Sequence, residues 1–111
     1  CFYFSSTNLS TKFNIIRKSR SFYEKILILT NLHLLCHEHE ASIKLHDQGI
    51  NILLKALVDS HPSKPQKGRQ FLDVPPGDQE AINKNYILYL MRTLRFIFAV
   101  ERNRKVKGII N

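Results

Sequence analysis

The side chains best suited to hold a metal or move a proton crowd into one stretch, His33 followed by Cys36-His37-Glu38-His39. On a helix, His33 and His37 stand at i and i+4 on one face, a spacing that supplies two of the four ligands of a tetrahedral zinc, with Cys36 beside them. The rest of such a site is missing. The zincin pattern H-E-x-x-H fails because Ala41, Ser42 and Ile43 follow without a second ligand, and no other Cys or His cluster exists to complete the set. Packing accounts for each residue instead. Cys36 serves as a small hydrophobe in an apolar stripe, while His37 and His39 sit at a helix C-terminus, where imidazolium meets the dipole and the exposed carbonyls. No metal, cofactor or catalytic residue is therefore expected, since no nucleophile and base stand at a workable spacing.

The elements around this junction are helical by pattern. Ser21-Phe22-Tyr23-Glu24 has the form of a capping box, with the Ser21 hydroxyl accepting an amide and Glu24 reaching back to the cap. Phe22, Ile26, Leu29, Leu32 and Leu35 then recur at helical spacing as far as about Cys36. A short helix is expected from Glu38 to His46, closed by Gly49 as a left-handed cap, and another over Ile50 to Val58. Residues 60–79 hold all four prolines and two of the four glycines, which predicts a long mobile loop. Asp78 or Gln79 caps a final helix with Ile82, Tyr86, Tyr89, Leu90, Leu94, Ile97 and Phe98 inside, ending near Arg102 or Asn103. Residues 1–20 lack a useful period and are expected to be irregular, as is the flank 107–111. The expected core is Leu32, Leu35, Ile50, Leu53, Leu54, Leu57, Leu94 and Ile97.

Charge narrows the function classes. The net charge is +8, but residues 21–60 carry three bases and five acids, so the excess lies in the first twenty residues and after position 80. A nucleic-acid domain usually gathers its basic residues on the folded core, and single-strand binders interleave them with exposed aromatics. Here Tyr86, Tyr89, Phe96 and Phe98 fall mostly on the apolar side of their helix. A basic helical nucleic-acid-binding module is thus the second reading. No apolar run is long enough to span a bilayer. Two cysteines 35 positions apart are expected to be reduced, in an intracellular setting, which makes the Asn8-Leu9-Ser10 sequon a chance match.

The chain also repeats itself. Ile26 to Cys36 lies over Leu88 to Phe98 at a constant offset of 62, which becomes 42 when the 20-residue Pro-rich loop is set aside. That is the period of armadillo-type repeats. The expected fold is therefore all-α: about one and a half repeats of an armadillo-like α-solenoid, with a loop insertion over 60–79 and irregular ends. "ASIKLHDQGINILLKALVDSHPSKPQKGRQFLDVPPGDQEAINKNYILYLMRTLRFIFAVERNRKV" resembles the armadillo-repeat region that precedes the catalytic domain in one member of the NimA-related serine/threonine kinases, a likeness running from about Ser21 to Val106. The flanks 1–20 and 107–111 do not resemble the family. They are rich in residues that AT-rich codons give, and are expected to be translated intron sequence beside genuine exons.

The resemblance implies a parent that phosphorylates Ser or Thr with ATP and magnesium and has cell-cycle and ciliary functions. It implies for this segment a cytoplasmic or nuclear scaffold that binds a protein partner or the parent's own kinase domain. The chemistry itself is not encoded here. The glycines, at 49, 68, 77 and 108, are too dispersed for a phosphate loop; no His precedes Arg, and no Asp precedes Phe-Gly. Armadillo third helices line a groove in which an Asn holds peptide backbone, and Asn31 falls on that position while Thr93 replaces it in the next repeat. Arg92, Arg95 and Arg102 lie close to one helix face and are the remaining candidate groove contacts, suited to an acidic segment.

Overall fold

The computed structural model describes residues 8–64 and 70–110, excepting the side chains of residue 39 and residues 108–110. It is all-helical among those residues: α1 (Leu9–Lys18), α2 (Phe22–Leu35), α3 (His39–Lys44), a π-helical turn (Leu45–Gly49), α4 (Ile50–Asp59), a 3-10 turn (Pro76–Asp78) and α5 (Gln79–Ile110). Helix α5 packs along α2 and against α4, while α1 closes the other side of α2 and α4. The long axis measures 53 Å, as a helix of 32 residues rising ~1.5 Å per residue demands.

Helix α1 corrects the expectation that residues 1–20 are irregular; residues 1–7 lie outside the described residues. Asn8 caps it by accepting the Thr11 amide at 2.9 Å, so this asparagine, read as a chance sequon, is a helix start. Phe13 and Ile16, at i and i+3, reach the core together with the half-buried Leu9. Basic Arg17 and Lys18 close the last turn, where they suit the dipole.

Gly49 is a second correction. It has φ −90° and ψ −25°, right-handed helical values, and the chain passes through it from α3 to α4 without the tight turn expected. Its smallness is needed for another reason: a Cβ there would lie 2.9 Å from Phe13 Cζ and 3.0 Å from Cε1. The glycine thus admits the α1 ring, and the π turn carries the buried Leu45 and Gly49 past it.

The second half of the loop 60–79 is a packed strap rather than a mobile insertion; residues 65–69 lie outside the described residues. Phe71 and Val74 are buried. Gln79 holds the strap from α5, accepting the Phe71 amide at 2.9 Å and donating to the carbonyls of Phe71 at 2.7 Å and Val74 at 2.6 Å. The Leu72 amide donates to the Arg20 carbonyl at 2.7 Å. At the head of α2 the Ser21 hydroxyl accepts the Glu24 amide, as the capping box predicts. The other cap is Asp73, not Glu24: its carboxylate accepts the Phe22 and Tyr23 amides at 2.8 and 3.1 Å and the Ser21 hydroxyl at 2.8 Å.

Of the expected core, Leu32, Leu53, Leu94 and Ile97 are buried and Leu35, Ile50 and Leu57 pack against them. Leu54 is not, with 42% of its surface exposed. The buried stripe of α4 centres on Leu53, which leaves Leu54 and Val58 at its edge. Helix α5 also runs past the expected stop at Arg102 or Asn103 to Ile110, so the flank expected to be irregular is helical over residues 107–110, because no proline follows Pro76 to break it.

Candidate functional site

The Cys36-His37-Glu38-His39 junction lies where α1, α2 and α5 meet. Cys36 caps the C-terminus of α2, is buried, and has its thiol pushed up to about 11 by burial, so it is a protonated packing group. His39 heads α3 instead of ending a helix, so the dipole argument reaches only the exposed His37, whose ring meets Phe96 edge-on at 5.9 Å. Glu38 faces the buried Lys12 of α1. Burial lowers the Lys12 ammonium pKa, and the Glu38 charge opposes that shift. Among the described residues no group of three or more His, Cys, Asp or Glu could hold a metal ion, and no helix is long and apolar enough to cross a membrane.

The polar connection across the α2–α5 seam is made by His33. Its Nε2 lies 2.8 Å from Thr93 Oγ1, and that hydroxyl donates to the Tyr89 carbonyl at 2.8 Å. With the Thr93 proton so committed, His33 must donate from Nε2, which fixes the tautomer. The His33 ring stacks on Phe96 at 5.0 Å and 12°. Desolvation, and then the Arg92 charge, lower its pKa, so the neutral ring is favoured. Thr93 is therefore buried seam, not groove lining.

The candidate groove residues separate. Asn31, on α2, is half-buried, and its Oδ1 has no hydrogen-bond partner among the described residues. Arg92, Arg95 and Arg102 are exposed on α5, with the Arg92 guanidinium 5.6 Å from the Tyr89 ring centroid. No hydrogen bond or ion pair among the described residues joins Asn31 to these arginines. Glu101, the lone acid after position 80, is turned inward and takes Arg104 and Lys105.

Around these arginines lies a surface that the sequence reading did not assemble. Leu88, Met91 and Phe98 are all exposed; with Arg95 and Arg102 they form the series 88, 91, 95, 98, 102, whose spacing of 3 and 4 is one helix face. Phe98, expected inside, is 48% exposed, and its ring meets that of His46 edge-on at 6.1 Å. Beside the stripe, a shallow depression of about 360 Å³ is lined by Phe22, Ile82, Asn85, Leu88, Tyr89 and Arg92. On α2, Tyr23, Leu27 and Leu34 make a further exposed series at i, i+4 and i+11. Their signal was in the sequence: α2 and α5 are apolar on more than one face, more than a single buried stripe requires.

The helical architecture and this mixed apolar and cationic surface define the chain as an all-α protein. No family model, no curated protein and no solved structure matches it.

Proposed function

We propose that this chain is a protein-interaction segment, an armadillo-like scaffold belonging to a NimA-related serine/threonine kinase, acting in the cytoplasm or nucleus, the cilium included. The observation that carries the reading is the exposed series Leu88, Met91, Arg95, Phe98 and Arg102 on α5. Apolar side chains alternating with arginines suit a partner helix whose own apolar stripe is flanked by carboxylates, since arginine forks bind carboxylates bidentately. The depression beside Arg92 offers a pocket for one anchoring side chain. The armadillo part of the proposal rests on the 62-residue offset, which aligns buried Ile28 with Leu90 and Leu32 with Leu94. The uninterrupted helix through Gly49 departs from that motif. In this reading the chain holds no ATP or magnesium; those belong to the parent's catalytic domain, the partner of first choice.

Calorimetric titration of the full chain with the catalytic domain of the NimA-related kinase tests this. The expected result is saturable binding weakened about tenfold or more by Leu88→Asp or Arg95→Glu, with helicity unchanged because both positions are exposed. No binding, or binding indifferent to both substitutions, would overturn the proposal.

A further inference from the structure

A second surface, with a lining distinct from the α5 stripe, carries independent chemistry. The end of α1, the start of α2, one side of α4, the strap and α5 enclose a cleft of about 560 Å³, within the range of small-molecule sites. Its apolar wall includes Ile52, Ala56, Phe71 and Tyr86, and Arg17, Lys18, Arg20, Lys25 and Lys55 also line it, against the single carboxylate of Asp59. Lys55 is paired with Asp59 at 3.4 Å. Among the described residues, Arg17, Arg20 and Lys25 have no ion-pair partner.

Two features separate this cleft from an ordinary basic surface. Arg17 and Lys18 suit the dipole at the α1 C-terminus, but Lys25, in the first turn of α2, gains nothing from its helix dipole. Its ammonium is drawn inward over two rings, 5.3 Å from the Tyr86 centroid and 5.9 Å from that of Phe71, and burial lowers its pKa. A desolvated cation over aromatic faces is partly compensated, and an anion would complete the compensation. The second feature is Tyr86. It is 1% exposed, and its hydroxyl has no hydrogen-bond partner among the described residues, whereas a buried O–H is normally satisfied. A ligand oxygen in the cleft would give that donor its acceptor.

We propose that this cleft binds a small organic phosphate ester, its phosphate held by Lys25, Arg17 and Arg20 and its compact aromatic or apolar body lying against Ile52, Ala56 and Phe71. The excess of cations over carboxylate favours a dianion over a monocarboxylate. The apolar wall favours an ester over inorganic phosphate.

Phenyl phosphate is the probe, titrated into the full chain and followed by amide NMR shifts. The expected result is saturable binding with shifts centred on Lys25, Asn51, Phe71 and Tyr86, affinity falling as salt rises, and inorganic phosphate binding at least about tenfold more weakly. Lys25→Gln should cost about tenfold or more, a loss of the kind that follows removal of a charged hydrogen bond. Because Lys25 is partly buried, Asn51→Asp is the second variant: it is exposed, lines the cleft, and places a repelling carboxylate there without touching the core. Equal binding of phenyl and inorganic phosphate, shifts spread over the α5 arginines, or indifference to Asn51→Asp would overturn the proposal. So would an absence of shifts at about tenfold excess over a millimolar affinity.

Discussion

Leu53 and Leu54 are adjacent in sequence, yet one is fully buried and the other 42% exposed. Truncation to alanine should separate them. Leu53→Ala is expected to cost about 2–5 kcal/mol, and Leu54→Ala less than about 1.5 kcal/mol, read from urea midpoints at unchanged slope. The helical period showed that α4 has an apolar side, but Leu53, Leu54 and Leu57 all satisfy it. Which of them lies at the centre depends on where α5 crosses. Cys36 was legible because its stripe placed it inside, whereas nothing local to Thr93 announced that it would meet His33. That contact gives a pH effect. The folded-state pKa of His33 lies below its unfolded value near 6.5, so the unfolded chain binds the proton more readily. Stability is complete above about pH 6.5 and declines as pH falls toward the folded pKa. Denaturation midpoints between pH 7.5 and 5 should show this slope, and His33→Gln should flatten it while keeping an N–H for Thr93.

At the scale of the element, the strap 70–74 ties the beginnings of α2 and α5 together through Asp73 and Gln79. Burial acts to raise the Asp73 pKa, but hydrogen bonds from the Phe22 amide, the Ser21 hydroxyl and the Tyr23 amide outweigh it and hold it below the ordinary value. A carboxylate with a depressed folded pKa stabilises above its unfolded value, about 3.9, and that contribution is lost as pH falls through the folded pKa. Asp73→Asn should therefore lower stability at neutral pH by about 0.5–2 kcal/mol, the usual range for a helix cap. It should also reduce the difference between midpoints at pH 6 and pH 3. The sequence showed Ser21 as a cap because its partner amide is three residues away. Asp73 was hidden because it acts from about fifty residues downstream, inside a Pro-rich segment that composition alone assigns to loop. Helix α1 was missed for a related reason: Leu9, Phe13 and Ile16 stand at helical spacing, but the polar residues between them dilute the pattern and only tertiary packing makes the stripe useful.

The whole molecule is thin, with extents of 53 × 31 × 17 Å and a radius of gyration of 14.9 Å, where a compact chain of this length has ~13 Å. Such a slab cannot bury both sides of α2 and α5, which is why Leu27, Leu34, Leu88 and Met91 stay exposed. An all-helical fold was legible from periodicity. The closure of the core was not, because it depends on segments assigned to flank and loop. Phe13 and Ile16 from α1 and Phe71 and Val74 from the strap all belong to the same buried cluster as Leu32 and Leu53. The chain is accordingly expected to unfold as one cooperative unit, with α1 part of its core.

The most direct test is a thermal melt by circular dichroism of the full chain beside a version lacking residues 1–20. Removing Phe13 and Ile16 withdraws about 3–6 kcal/mol of burial, so the full chain should melt in one cooperative transition, and the shortened chain should melt at least about 10 °C lower or without a transition. The same midpoint and cooperativity in both would contradict the account, placing α1 outside the folded unit.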